Sequence, residues 1–135
     1  MKAAALDVGL KRIGVALSPD GVTVLPQPAI LRHNRDQAAR DTVAFLEEWG
    51  IDTLIVGLPR GGSSEAEMER RIRHFVGLLG VEDRMEIHYQ DEAGSSQEAK
   101  ERMEGAIRQE RDGRIDSIAA QIILERWLTE RSAEA

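Results

Sequence analysis

Short apolar runs separated by glycine-rich and aspartate-rich turns fill residues 2–32. The pattern predicts a first strand at Ala3–Val8 and a second at Ile13–Leu17, joined by a turn at residues 9–12. After a Pro-Asp-Gly turn, Val22–Val24 and Ala29–Leu31 predict the third strand on either side of two prolines. Short strands joined by such turns are typical of antiparallel hairpins.

From residue 34 onwards the apolar positions follow a helical period and alternate with short continuous apolar runs. Ala39, Val43 and Leu46 lie at i, i+4 and i+7, one face of a helix that Gly50 should end. The continuous run 53–57 is typical of a central strand covered on both faces. The expected order is a helix at about 35–49, a strand at 53–57, a helix through 68–79, a strand at 85–89 and helices at about 95–109 and 114–129.

Three antiparallel strands followed by strands with crossover helices predict an α/β fold, a mixed five-stranded sheet with helices on both faces. The length of 135 residues suits a single domain, residues 1–135. The absence of cysteine excludes disulfides and Cys-based zinc sites. No apolar run approaches the roughly 20 residues of a membrane span, and no signal peptide is recognisable, so we expect a cytoplasmic protein.

The net charge of −6 is unlike the basic footprint of a simple nucleic-acid-binding protein. Only three of the 18 basic residues are lysines, however, and arginine is preferred for bidentate phosphate contacts. The cluster Arg70, Arg71 and Arg73 lies beside several glutamates and is expected on a solvated face rather than on a docking surface. An aromatic content of 4% disfavours base stacking and favours recognition of the backbone or of shape.

Asp7 is the first candidate for site chemistry. It ends a strand of small residues, and strand alternation places it on the same face as Ala3 and Ala5. A carboxylate at the end of a central strand is costly to bury unless a cation pairs with it. Two interpretations stay open from this strand alone, a metal ligand or a cap for the turn at Gly9.

Two further acidic positions are candidate partners for Asp7. Asp116 shares a helical face with Ala120, Ile123 and Trp127, which should point it towards the sheet near the start of the last helix. Its alternative role is to complement the helix dipole. Asp91 and Glu92 close the fifth predicted strand, and a polar strand end is their alternative role.

These positions converge if the predicted topology is right, because sites in open α/β sheets form at the carboxyl ends of strands. Three carboxylates without a histidine cluster suit Mg²⁺ or Mn²⁺, hard cations that prefer oxygen ligands. Our hypothesis for the chemistry is a two-metal in-line attack of water on a phosphodiester.

Three motifs resemble those of the YqgF family. They are Leu6-Asp7-Val8-Gly9-Leu10-Lys11-Arg12-Ile13-Gly14-Val15-Ala16, Val56-Gly57-Leu58-Pro59 with Gly61-Gly62, and Asp112-Gly113-Arg114-Ile115-Asp116-Ser117-Ile118-Ala119-Ala120. They occur in the family's order and span nearly the whole chain. The family has a ribonuclease H-like fold, and its members are described as Holliday-junction resolvases and as nucleases of the small-subunit ribosomal RNA precursor.

The resemblance implies that Asp7, Glu92 and Asp116 are catalytic, metal-binding acids. We expect the nucleic-acid backbone to contact basic residues on loops, namely Lys11, Arg12, Arg60, Arg111 and Arg114, of which the family motif favours the first two. One motif departs from the family, which usually has Asp-Glu-Arg before Leu-Thr-Thr. Here Asp91-Glu92 precedes Ala93, and Ser95 and Ser96 stand near the positions of the threonines.

The carboxylates predict a divalent-metal-dependent nuclease, and the family resemblance implies structured RNA as the favoured substrate and processing of the 16S ribosomal RNA precursor as the role. A Holliday-junction resolvase is the alternative, and it requires a dimer with two active sites. A nucleic-acid-binding module with weakened catalysis is a second alternative, since the arginine after Glu92 is missing. A sugar kinase or actin-like ATPase is disfavoured, because the chain supplies one lobe and no second copy of the motif.

Overall fold

A computed structural model of the protein describes residues 1–59, 63–94, 97–99, 101–102 and 117–134. Residues 97–99 and 101–102 are helical. The strands are β1 (Ala3–Val8), β2 (Arg12–Ser18), β3 (Leu25–Leu31), β4 (Thr53–Leu58) and β5 (Glu86–Asp91), and the other helices are α1 (Arg35–Glu48), α2 (Ser63–Leu79) and α3 (Ile118–Glu134).

The strands form one mixed sheet in the order β3-β2-β1-β4-β5. The pairs β1–β2 and β2–β3 are antiparallel, whereas β4 is parallel to both β1 and β5. The predicted five-stranded sheet, antiparallel first and parallel afterwards, is confirmed. The carboxyl ends of β1, β4 and β5 consequently lie at one edge of the sheet.

Alternation along β1 assigns its side chains to two separate cores. Ala4, Leu6 and Val8 belong to the larger core, which lies under α1 and α2. Ala3 and Ala5 belong to the smaller core under α3. Helices therefore cover both faces as predicted, and the small alanines let α3 approach the sheet closely.

The ends of α1 and α2 follow from local chemistry. Asn34 caps α1 in a reciprocal capping box with Gln37, which satisfies amides that the first turn leaves unpaired. Gly50 and Gly80 follow the two helices with φ of 62° and 63°, a conformation that favours glycine. The predicted helix end at Gly50 is confirmed, and α2 ends at Leu79, the last position of the predicted helix through 68–79.

The third strand differs from its prediction. Val22–Val24 is not a strand, because the Asp20 carboxylate accepts the amides of Val22 and Thr23 and holds them in a turn. The strand runs instead through both prolines as Leu25–Leu31. It is an edge strand, where a missing amide donor is tolerated.

The last helix lays its apolar stripe on the sheet as predicted. Ala120, Ile123 and Trp127 are buried in the smaller core. The helix extends to Glu134, five residues past its predicted end. Most of the helix predicted at 95–109, and the start of the last helix from residue 114, lie outside the described residues.

Among the described residues, none of the helices combines the length and the apolar character that crossing a bilayer requires.

Candidate functional site

Asp7 lies one residue before the end of β1, half-buried at the edge of the sheet where the parallel strands end. The turn that follows is closed by its own backbone, since the Gly9 amide donates to the Arg12 carbonyl at 2.9 Å. A Cβ on Gly9 would lie 2.6 Å from that oxygen, so glycine is needed there. The Gly9 amide thus has a partner other than Asp7, which favours the ligand interpretation of Asp7 over the turn cap.

Glu92 follows β5 directly and reaches the same edge. Its amide donates to the Leu58 carbonyl at 3.0 Å, which continues the pairing of β5 with β4. The register pairs Leu6 with Val56 and Gly57 with Gln90, so β4 separates the strands that carry Asp7 and Glu92. The Glu92 side chain must cross β4 to meet Asp7.

Gly57 provides the room for this crossing. A Cβ on Gly57 would lie 2.8 Å from Glu92 Oε2 and 2.5 Å from Ile123 Cδ1. Both distances are shorter than real contacts allow, so a larger residue would displace the carboxylate or the α3 core. The Val56-Gly57-Leu58-Pro59 motif therefore has a physical role, because the absence of a side chain at its glycine leaves room for the Glu92 carboxylate.

The Asp7 and Glu92 carboxyl groups interact directly, and each shifts the pKa of the other. Burial, the negative charge of Asp7 and the hydrogen bond with Asp7 together raise the pKa of Glu92 to about 7, and burial contributes most. Burial also raises the pKa of Asp7, while the hydrogen bond from Glu92 partly offsets the rise. Two half-buried acids that resist joint ionisation form a site that a cation would stabilise.

The carboxylate of the neighbouring acid, Asp91, has a different hydrogen-bond partner. Its side chain is exposed, and its Oδ1 accepts the Ala93 amide at 2.9 Å. Of Asp91 and Glu92, it is Glu92 that meets Asp7.

The turn after Glu92 is held by α3. Arg126 Nη1 donates to the Ala93 carbonyl at 2.8 Å, and Nη2 lies 3.4 Å from Glu98 Oε1. A guanidinium from α3 thus lies beside the position where the family usually has an arginine. The sequence pattern did not predict Arg126, because its partner is 33 residues away. Ser95 and Ser96 lie outside the described residues.

Asp116, the third predicted ligand, also lies outside the described residues. Among the described residues, no group of three or more His, Cys, Asp or Glu side chains could hold a metal. Two of the three predicted metal ligands, Asp7 and Glu92, lie among the described residues.

Ser117, the residue after Asp116, anchors α3 to the sheet next to the site. Its buried Oγ accepts the Val15 amide at 2.9 Å, where the pairing of β2 with β3 shifts between Ile13 and Val15. The strand partner of Asp7 is Gly14, one residue before that amide. A single serine hydroxyl thus fixes the start of α3 relative to β2, the strand that pairs with β1 beside Asp7, a role that the sequence pattern did not reveal.

The predicted nucleic-acid contacts are only partly described. Lys11 and Arg12 are exposed at the turn after β1, a few residues from Asp7. Arg60, Arg111 and Arg114 lie outside the described residues.

Comparison with known proteins adds an independent line of evidence. The sequence model of the family described as "RuvX: Holliday junction resolvase" matches residues 1–130. A protein of Sulfurovum sp., named "Putative pre-16S rRNA nuclease", is 64% identical over 129 residues, which cover 96% of this chain and 99% of that protein. A protein of Sulfurimonas denitrificans with the same name is 54% identical, with coverage of 97% and 99%.

Solved structures agree on the fold. Thermus thermophilus RuvC in complex with a Holliday junction substrate superposes with a TM-score of 0.60 at 10% identity, covering 98% of this chain and 96% of that chain. The Fowlpox virus resolvase in complex with Holliday junction DNA gives a TM-score of 0.58 at 11% identity, covering 97% and 99%. These likenesses confirm the predicted ribonuclease H-like fold.

Proposed function

Since this chain belongs to the RuvX family, which confirms the predicted YqgF resemblance, we propose that it is a divalent-metal-dependent nuclease that hydrolyses phosphodiester bonds. The observation that carries the proposal is the half-buried carboxyl pair of Asp7 and Glu92. The pair lies where the parallel strands end, at the edge where open α/β sheets place their sites. In this proposal residues 1–135 form a single nuclease domain.

The carboxyl pair fits a hard divalent cation. Oxygen is its only donor type, and burial raises the pKa values of both acids. A cation bound between the two carboxylates would favour their ionised forms. Oxygen-only ligand sets suit Mg²⁺ or Mn²⁺. Asp7 and Glu92 would hold the ion, with Asp116 as the proposed third ligand.

A bound ion would supply charge stabilisation at the scissile phosphate and an acidified water. Other residues of the chain position the two carboxylates and the substrate for this chemistry. Gly57 leaves the space in which Glu92 approaches Asp7. Ser117 fixes the start of α3 against β2. Lys11 and Arg12 are proposed to bind the nucleic-acid backbone next to the site. Further proposed contacts are Arg60, Arg111 and Arg114.

For the substrate we propose the precursor of 16S ribosomal RNA, which makes the cytoplasm the place of action. Support comes from the names of relatives that are 64% and 54% identical over nearly their full length. The family description favours a second candidate, cleavage of a four-way DNA junction. That reaction would require a dimer, so that two sites cut symmetrically.

The test is a cleavage assay with the purified protein and Mn²⁺ or Mg²⁺. The substrates are a 16S precursor fragment with its flanking sequences and a four-way DNA junction, and Asp7→Asn and Asp91→Asn are the paired variants. We expect cleavage of the RNA that requires the metal, is lost in Asp7→Asn and persists in Asp91→Asn.

Three other results of the cleavage assay would each lead to a different conclusion. Junction cleavage by a dimer, with the RNA left intact, would replace the RNA substrate by DNA. Binding of either substrate without cleavage would indicate a module that has lost hydrolysis. Cleavage that survives Asp7→Asn would overturn the metal site itself.

A further inference from the structure

A cavity of about 500 Å³ opens beside the candidate site, on the opposite face of the sheet. Val8 and Leu10 of the β1 end and its turn form one side, the start of α1 a second, and α2 a third. Asp7 directly precedes Val8 in β1. A bound strand of nucleic acid that crosses the end of β1 would therefore pass from this cavity to the carboxyl pair. We call it the arginine cavity, after Arg32, Arg35, Arg70 and Arg71 in its lining.

Most of the positive charge in this cavity has no counter-charge among the described residues. Arg71 is neutralised by Glu67, at 3.0 Å along the same helix. Within the described part of the chain, Arg32, Arg35 and Arg70 form no ion pair. This concentration of uncompensated cations stands out in a chain whose net charge is −6.

Arg32 is a fixed charge rather than a mobile surface one. Its side chain is half-buried, Nη1 donates to the Gly9 carbonyl at 2.9 Å, and its guanidinium carbon lies 5.3 Å from the centre of the Phe75 ring. Its amide also donates to the Lys11 carbonyl, so it is tied to the turn that follows Asp7. A half-buried guanidinium that is oriented by neutral groups leaves its charge available to an anion.

Arg35 occupies a position that helix stability does not favour. It is the first residue of α1, where the helix dipole prefers acidic side chains. A cation at this position weakens the helix slightly, and an anion bound to it from outside the helix would offset this effect. Arg70 is exposed on α2 and faces the same cavity, with His74 one turn further along.

We propose that the arginine cavity binds the phosphodiester backbone of the substrate strand, on the segment that flanks the bond to be cut. This inference rests on the proposed nuclease function and extends it to a binding site away from the carboxyl pair. Arg32 provides a fixed contact, and Arg35 and Arg70 provide two exposed ones. Arginines suit this role, because their planar donors match phosphate oxygens.

The experiment compares two double variants with equal loss of charge on the same two helices. The cavity variant is Arg35→Gln with Arg70→Gln, and the control variant is Arg40→Gln with Arg73→Gln. Arg40 and Arg73 are exposed and lie outside the cavity lining, so the control variant removes the same formal charge, although Arg73 is paired with Glu69 at 3.0 Å. Binding of fluorescently labelled single-stranded RNA, an RNA hairpin and a four-way DNA junction is measured in EDTA over a series of salt concentrations.

We expect the cavity variant to bind about five- to twentyfold more weakly at low salt, since two cation–phosphate contacts are lost. The slope of log K against log salt should become shallower by about 1.4 on a single strand and about 1.8 on a duplex. The control variant should keep the wild-type slope. Thermal unfolding should show the cavity variant at least as stable as wild type, since Arg35 opposes the helix dipole.

Equal affinities and slopes for the cavity and control variants would overturn the proposal. If wild-type protein cleaves its substrate while the two variants bind alike, the cavity proposal alone fails and the nuclease site stands. If wild-type protein neither binds nor cleaves any of the probes, the proposed function fails together with it.

Discussion

Removal of the Glu92 charge should stabilise the metal-free protein at alkaline pH. The pKa of Glu92 rises from 4.5 to about 7 on folding, so the folded state holds the proton more tightly than the unfolded chain. The stability that this proton contributes is fully present below pH 4.5 and is lost as the pH rises through 7. Glu92→Gln keeps the size of the side chain and cannot ionise, so it should escape this loss.

The magnitude follows from the size of the pKa shift. At about 1.4 kcal/mol per pH unit the full shift would correspond to about 3 kcal/mol, and solvent screening of a half-buried group reduces this to about 1–2 kcal/mol. For a domain of this length we expect Glu92→Gln to melt about 3–8 °C above wild type at pH 8 in EDTA. Near pH 4.5 the two proteins should melt together.

The assay is thermal or urea unfolding followed by circular dichroism at several pH values, with Glu82→Gln as the control for loss of an exposed acid. Addition of Mg²⁺ or Mn²⁺ at pH 8 should stabilise wild type and leave Glu92→Gln nearly unchanged, because a ligand that binds only the folded state stabilises it by mass action. Equal stability of wild type and Glu92→Gln in EDTA at pH 8 would contradict this prediction and would show that the half-buried pair carries no electrostatic cost.

Three further substitutions test the supports of the site. Gly57→Ala should destabilise the protein by about 1–3 kcal/mol in urea unfolding and sharply reduce cleavage, because its Cβ would lie 2.8 Å from Glu92 Oε2; normal cleavage would contradict the role of this glycine. Ser117→Ala should cost about 1–3 kcal/mol and lower activity, because it leaves the Val15 amide unsatisfied; an unchanged urea midpoint would argue against the anchor. Asn34→Ala should cost about 1 kcal/mol through loss of the helix cap without affecting the cleavage rate, and a slower rate there would show that stability alone limits the assay.

The features that the sequence predicted correctly are those that local pattern controls. Alternation along β1 put Asp7 on the face of Ala3 and Ala5, and the helical period put Ala120 and Ile123 against the sheet. Glycines at helix ends and small residues in strands act over a few positions, so their effect can be inferred without knowledge of the rest of the chain.

The features that escaped prediction depend on contacts between distant segments. The Val15 amide meets Ser117 across 102 positions, and Arg126 reaches Ala93 across 33. No local pattern records such pairs. The third strand was misplaced for a related reason, since only the sheet order shows that it is an edge strand where prolines are tolerated.

If Asp7 and Glu92 together hold a divalent ion, a Mn²⁺ titration followed by electron paramagnetic resonance will detect it at this site. Wild type should bind Mn²⁺, Asp7→Asn and Glu92→Gln should lose that binding, and Asp91→Asn should keep it, because the Asp91 carboxylate is already engaged with the Ala93 amide. Wild-type affinity in Asp7→Asn, or an equal loss in Asp91→Asn, would contradict the proposed metal site.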